Sequence, residues 1–255
     1  MSASIKVRTD ERNGEPCLTC MVRHHAICSP LSKAGREKLN EILGRCNLNA
    51  GEVLFDEGSK RDFVYTLTSG MLRLLKTLPD GRRYVTGFVL PGDFVGLIDD
   101  DHHILTAEAI QNSDLCIYSS DSLFALTKSD PAMREYFLQH TRIALRRAYD
   151  TQLILGRLSP IEKLARFILE LKTRLIENQV SASPVPLSMN RTDIADHLGL
   201  TVETVSRSFS KLKIQRVIRL PATNAVEICD NVKLMMIAGF SEFERDKMLS
   251  RMNLA

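Results

Sequence analysis

The sequence predicts an α+β chain: an N-terminal antiparallel β-roll, a long helix, and a C-terminal helix-turn-helix with a β wing. Three observations carry this. Seven of the 13 glycines lie between Gly51 and Gly96, cutting the chain into short β-type runs. An unbroken helical pattern follows from Pro131 to Leu158. The stretch "NRTDIADHLGLTVETVSRSFSKL" then has two helical segments around Gly199.

The elements follow in chain order. Residues 32–46 read as a short amphipathic helix, with Ser32 as cap and Leu39, Ile42, Leu43 and Cys46 at i, i+3, i+4, i+7. From 51 to 118 the runs "GEVLFDEG", "FVYTLTSGMLRLLKT", "RRYVTGFVLPGDFVGL", "LTAEAI" and "LCIYS" alternate with turns. "PDG" at 79–81 is such a turn, because proline presets φ and glycine accepts φ > 0. Many short strands at this spacing predict a barrel or jelly roll. In the long helix, Leu138, Thr141, Leu145, Ala148, Gln152 and Leu155 recur at steps of three or four, widened by Ile143, Ala144 and Tyr149. At about 1.5 Å per residue the helix is ~40 Å long, more than a small barrel covers, so pairing with a second copy is expected. Asp150 lies within it, facing either the partner or solvent. "GRLSP" (156–160) is a hinge, with Gly156 ending one helix and Pro160 opening the next.

In the C-terminal part Asn190 and Thr201 are the expected caps, and Gly199 the left-handed turn. On the second helix Val202, Val205, Phe209 and Leu212 form the face to be buried. Glu203, Ser206, Arg207, Ser210 and Lys211 form the face to be exposed. An Arg donates two bonds to guanine O6 and N7, and a Glu accepts from cytosine N4, so this face suits major-groove reading. Residues 191–220 hold six cations (Arg191, Arg207, Lys211, Lys213, Arg216, Arg219) against three acids (Asp193, Asp196, Glu203), which accounts for a local excess as large as the net +3 of the whole chain. "VIRLPATNAVEI" is the wing, and the tail from Asn231 is a further packed helix.

Charge and hydropathy limit the rest. No apolar run approaches the ~20 residues of a membrane helix, and the N-terminus lacks an apolar signal core, so a cytoplasmic protein is expected. No phosphate-cradling glycine loop, metal-binding His pair or nucleophile with a placed base is present, which argues against an enzyme.

The cysteines stand out. Cys17, Cys20 and Cys28 are spaced C-x2-C-x7-C, and Cys116 lies far along in "LCIYS". Spacing alone leaves three chemistries open. They are a 4Fe–4S cluster on four thiolates, a zinc site that enlists His24 or His25, and redox thiols. Cys46 and Cys229 read as small core or edge residues, and His102 and His103 as a surface loop.

"GLTVETVSR", "LTSGMLRL…PDGRRYVTGFVLPGD" and the long helix between them resemble the CRP/FNR family of bacterial transcription regulators, over about residues 20–235. The resemblance implies a cyclic-nucleotide-binding-like β-roll, a dimerisation helix and a winged helix-turn-helix. The domains expected are a cluster-binding loop (1–30), the roll (31–130), the dimerisation helix (131–158) and the DNA-binding domain (159–255). "VETVSR" resembles the FNR branch, which implies Glu203, Ser206 and Arg207 as readers of a TTGAT half-site in double-stranded DNA. It also implies a homodimer, RNA polymerase contacts from exposed loops such as Asp80–Gly81, and a 4Fe–4S cluster on Cys17, Cys20, Cys28 and Cys116 that answers oxygen. In such a protein cluster loss weakens the dimer and releases DNA. Ile27, beside Cys28, would shield the cluster. Cyclic-nucleotide members carry an arginine after the "PGD" turn. Here no arginine occurs between Arg83 and Arg134, and Asp99, Asp100 and Asp101 stand there in a row, so no cyclic nucleotide is expected.

Overall fold

A computed structural model describes residues 20–24, 26–96, 101–178 and 182–253. The chain divides into two compact units, one ending at Arg146 and the other beginning at Arg147.

In the first unit α1 (Lys33–Glu41) is capped by the Ser32 side chain, which accepts from the Gly35 amide at 3.2 Å. Six strands follow: β1 (Leu43–Leu48), β2 (Val53–Phe55), β3 (Phe63–Thr77), β4 (Arg83–Val89), β5 (Phe94–Val95) and β6 (Thr106–Ser119). They form one antiparallel sheet with the path β1-β6-β3-β4, β2 adding to β6 and β5 to β3. Then come α2 (Ser120–Ser129) and α3 (Pro131–Arg157).

Side-chain alternation sends β3 and β6 into two different apolar clusters. Tyr65, Leu67, Leu115 and Ile117 enter the roll interior with Leu54, Phe55, Leu72 and Val89. Val64 and Tyr118 point the other way, into a cluster with Val22, Ala26, Ile27, Cys28, Leu31, Leu39, Leu123 and Met133. This second cluster anchors the N-terminal loop and the start of α3 to the roll. Ile27 is fully buried in it, a contribution of about 1.5–3 kcal/mol for a side chain of this size. Register on β3 slips around Gly70, whose φ of +89° only glycine adopts without strain.

In this unit the structure corrects three expectations. The first helix stops at Glu41, and Cys46 lies in β1 opposite Leu115, not on a helix stripe. Residues 43–48 carry a period-two burial at Cys46 and Leu48, and β6 offers them an open ladder, so tertiary pairing overrides the helical period. Cys46 is still a small core residue, with burial, followed by the nearby Glu52 carboxylate, pushing its thiol up to about 11. His103 is buried and stacks on Phe55 with ring centroids 3.6 Å apart, because Phe55 supplies the apolar surface a loop histidine would otherwise lack; His102 is exposed as expected. The long helix is found as expected, from Pro131 to Arg157, and runs through Gly156.

In the second unit α4 (Pro160–Glu177) opens with Pro160 and a reciprocal capping box between Ser159 and Glu162. The short β7 (Val185–Pro186) precedes α5 (Arg191–Leu198) and α6 (Val202–Ile214). Strands β8 (Ile218–Ala222) and β9 (Ala225–Ile228) form a hairpin, with β7 on the far edge of β9. The tail forms two helices, α7 (Asn231–Ile237) and α8 (Glu242–Asn253), both packed on α4. The Arg166 guanidinium of α4 sits 4.2 Å from the Phe240 ring centroid and 3.4 Å from Glu244. Among the described residues no helix is long and apolar enough to cross a membrane.

Candidate DNA interface and thiol cluster

The reading helix is set by a chain of caps. The Asn190 side chain accepts from the Asp193 amide at 2.8 Å, and the Asp193 carboxylate accepts from the Asn190 amide at 3.3 Å. Gly199 ends α5 at φ +61°. Thr201 starts α6 by accepting from the Thr204 amide at 3.2 Å. From α4, the buried Lys163 donates to the Leu198 carbonyl at 3.2 Å, placing a cation at the C-terminal end of α5.

Val205, Phe209 and Leu212 are buried as the periodicity predicts; Val202, in the first turn of α6, is exposed instead. Glu203, Ser206, Arg207, Ser210 and Lys211 are all exposed on the other face. Glu203's own backbone N–H, then the Thr201 hydroxyl, hold its carboxyl below the usual range, so it is an ionised acceptor at neutral pH. Five of the six cations in this segment are exposed. Arg191 is withdrawn: its guanidinium lies 3.5 Å from the Phe209 ring centroid and helps join α5 to α6. On the wing Arg219 pairs with Glu227 at 2.6 Å, and Cys229, just past β9, is exposed.

This geometry, a capped pair of helices with a polar outer face and a following β wing, matches known proteins. A family model for the Crp-like helix-turn-helix domain covers residues 162–237, and one for the cyclic nucleotide-binding domain covers 45–130. The nitrogen fixation regulation protein FixK of Bradyrhizobium diazoefficiens is 37% identical over 80% of this chain and 86% of its own length. The chain belongs to the CRP/FNR family of transcription regulators. The transcriptional activator protein Anr of Pseudomonas protegens is 32% identical over 94% of this chain and 99% of its own. The solved structure of FixK2 from Bradyrhizobium japonicum superposes with a TM-score of 0.74, at 32% identity, over 78% of this chain and 99% of that one. As a CRP/FNR regulator the protein is a DNA-binding molecule, not an enzyme.

Three of the four cysteines singled out by spacing lie in the described residues, and all three border the same apolar cluster. Cys28 is buried in the cluster outside the roll; Cys20 and Cys116 are half-buried against it. Cys28 Sγ lies 3.8 Å from the Arg23 carbonyl oxygen. Cys17 and His25 lie outside the described residues, as do Asp99 and Asp100 of the acidic run. Among the described residues no three of His, Cys, Asp and Glu stand close enough to hold a metal ion.

Two polar groups sit among these thiols that the sequence did not single out. Thr66 pairs across the ladder with Cys116, and its buried Oγ1 lacks a partner at full hydrogen-bond geometry among the described residues. Tyr118 lies on the same face of β6 as Cys116, and burial, followed by Cys116 and Cys28, raises its hydroxyl well above the ordinary phenol range. No periodicity marks either residue, since a β strand hides which neighbour strand it will meet. Lys163 escaped notice in the same way: a lysine on an amphipathic helix reads as surface until its partner carbonyl is in view.

Proposed function

We propose that this protein is a cytoplasmic, homodimeric transcriptional activator of the FNR type. It reads TTGAT-N4-ATCAA-like palindromes through Glu203, Ser206 and Arg207. It binds a 4Fe–4S cluster through Cys17, Cys20, Cys28 and Cys116 and responds to oxygen without a cyclic nucleotide. The observation that carries the sensing part is the gathering of Cys20, Cys28 and Cys116, up to 96 residues apart, on one apolar cluster beside the start of α3. The match to the transcriptional activator Anr over 94% of this chain supports the activator part of the reading.

Bound there, a cluster supplies iron–sulfur bonds that oxygen attacks. The chain's part is to hold the thiols. Cys20 and Cys28 belong to the loop and Cys116 to β6, so ligation ties loop to roll. The loop packs against Met133 and Tyr136 in the first two turns of α3, so its order bears on how that helix is set.

Helix α3 is the proposed dimer element. Residues 141–149 are exposed throughout, and Leu138, Leu145, Tyr149 and Leu153 fall on one stripe with no partner in the single chain. A second copy would cover that stripe and place two reading helices about one DNA turn apart. The tip at Asp80–Gly81, where Arg82 pairs with Asp80 at 2.8 Å, is exposed and suits contact with RNA polymerase.

A second reading has its own support. The described donors do not reach metal-binding proximity, which favours a cluster-free member that acts through thiol oxidation or by its abundance over one that holds zinc. Nitric oxide as the signal uses the same cluster. Anaerobic purification decides between cluster and no cluster. Iron and sulfide are quantified beside binding to a TTGAT palindrome, before and after air. The expected result is about four irons per chain, DNA binding lost on aeration, and both lost in Cys116→Ser. Full iron and an unchanged response in Cys116→Ser would refute the proposed ligand set. Arg207→Leu should remove half-site discrimination of roughly 1–3 kcal/mol and leave iron content untouched.

A further inference from the structure

The C-terminal end of α6 meets the foot of the wing at an open pocket. Lys213, Arg216, Ile218, Arg219, Glu227 and Cys229 line it. Arg219 is neutralised by Glu227, 2.6 Å away. Lys213 and Arg216 are exposed, and neither has an ion-pair partner among the described residues. The pocket thus carries two surplus positive charges, a match for an anion. A helix C-terminus is by itself the wrong pole for an anion, because its last carbonyls are electronegative. Here Lys233 of α7 covers that end, donating from its ammonium to the Gln215 carbonyl at 3.3 Å. The two cations of the pocket are therefore not spent on the helix end.

Arg216 is held in an unusual backbone. Its φ is +57°, and among the described residues it is the only one other than glycine at positive φ. Its amide donates to the Lys213 carbonyl at 2.9 Å, and the Val217 amide to the Leu212 carbonyl at 3.1 Å, which closes the turn that ends α6. Glycine fits such a turn without strain. A long cation standing there instead points to a use for its charge.

The position on α6 says which anion. Ser206, Ser210 and Lys213 fall at i, i+4, i+7, so Lys213 extends one edge of the reading face. It lies about 9 Å further along the helix axis than Arg207. The major groove is about 12 Å wide and walled by phosphates. With Glu203 and Arg207 on base edges, the following turns of the helix reach that wall.

We infer that the pocket at the foot of the wing takes a backbone phosphate of DNA, with Lys213 and Arg216 as contacts that add affinity without reading sequence. This rests on α6 as the reading helix, and not on which bases it reads or on what the cysteines hold.

The test uses the full chain, purified without oxygen, with a TTGAT palindrome and a scrambled duplex of the same length. Lys213→Gln and Arg216→Gln each remove one charge. Arg216→Gly removes the charge and relaxes the backbone. Affinity for both duplexes is measured over a range of salt. Each glutamine variant should lower the slope of log affinity against log salt by about 1. Affinity should fall several-fold on both duplexes alike, so that preference for the palindrome is unchanged. Arg216→Gly should weaken binding in the same way yet raise the thermal midpoint of the DNA-binding unit, a pairing that a merely structural arginine would not give. Cys229 is exposed and lines the pocket, so it reports occupancy. Its alkylation by iodoacetamide, read on its own peptide by mass spectrometry, should slow several-fold with either duplex bound.

Unchanged salt slopes in both glutamine variants overturn the inference, as does alkylation of Cys229 that DNA leaves unchanged. Affinity lost on the palindrome alone makes the two residues base readers and overturns it as well. Protection of Cys229 by inorganic phosphate at matched ionic strength, without DNA, marks a site for free phosphate and overturns the assignment to the duplex. A wild-type chain with no preference for the palindrome overturns only the TTGAT reading, because the salt slopes are still read on the scrambled duplex.

Discussion

Lys163→Met tests whether the reading helix is held from behind by a single buried cation. Lys163 is 7% exposed, and its ammonium donates to the carbonyl of Leu198, the last residue of α5. Methionine keeps most of the apolar stem, so packing is largely preserved. What is lost is the donor. A buried carbonyl deprived of its partner costs about 1–3 kcal/mol. Loss of a cation at a helix C-terminus adds about 0.3–1 kcal/mol. Against this, the ammonium no longer has to be kept out of water, which returns part of the sum. The net expectation is destabilisation of about 2 kcal/mol. In a unit of this size each kcal/mol lowers the melting midpoint by roughly 4–8 °C, so a drop of roughly 8–16 °C is expected. Differential scanning calorimetry of the full chain reads it as a shift of the DNA-binding unit's transition alone. Affinity for the palindrome should fall in parallel, since the α5–α6 turn loses a fixed point. A midpoint that stays put or rises would refute the reasoning, and would mean that desolvation of Lys163 outweighs its bond.

Two further outcomes are expected. Gly70→Ala should destabilise the roll by at least about 3 kcal/mol, seen as a lower urea midpoint. Its φ is +89°, and a Cβ there would stand 2.5 Å from the Asn112 carbonyl oxygen and 2.6 Å from Ser113 Cα, both backbone atoms that cannot swing aside. Glu170, half-buried on α4, has its carboxyl raised by burial; Asp150 adds to the effect, while Arg174, Arg166 and Arg147 oppose it. A carboxyl raised in the folded state binds its proton more tightly there than when unfolded. The DNA-binding unit should therefore lose stability as pH rises from the unfolded carboxylate value, about 4.3, through the folded one. Glu170→Gln should flatten that slope in denaturation midpoints measured across the acid range.

The local pattern of the chain was enough to determine the kind of each main element and the faces of the reading helix. Caps, turns and periodicity are short-range physics. Asn190, Gly199 and Thr201 act within four residues of themselves, and Val205, Phe209 and Leu212 declare a buried side by spacing alone. The same short range explains the failures. Residues 43–48 could satisfy a helix or a strand, and only the open ladder of β6 chose the strand. His103 reads as a loop residue until Phe55, 48 positions earlier, is laid against it. Cysteine spacing suggested a metal but left its chemistry open. The placing of Cys28 and Cys116 on one apolar cluster, the register of Thr66 opposite Cys116, and the bond from Lys163 to Leu198 were decided only by tertiary structure. Strand register and helix packing bring together groups tens of residues apart, and nothing in the local order of side chains encodes which partners those will be.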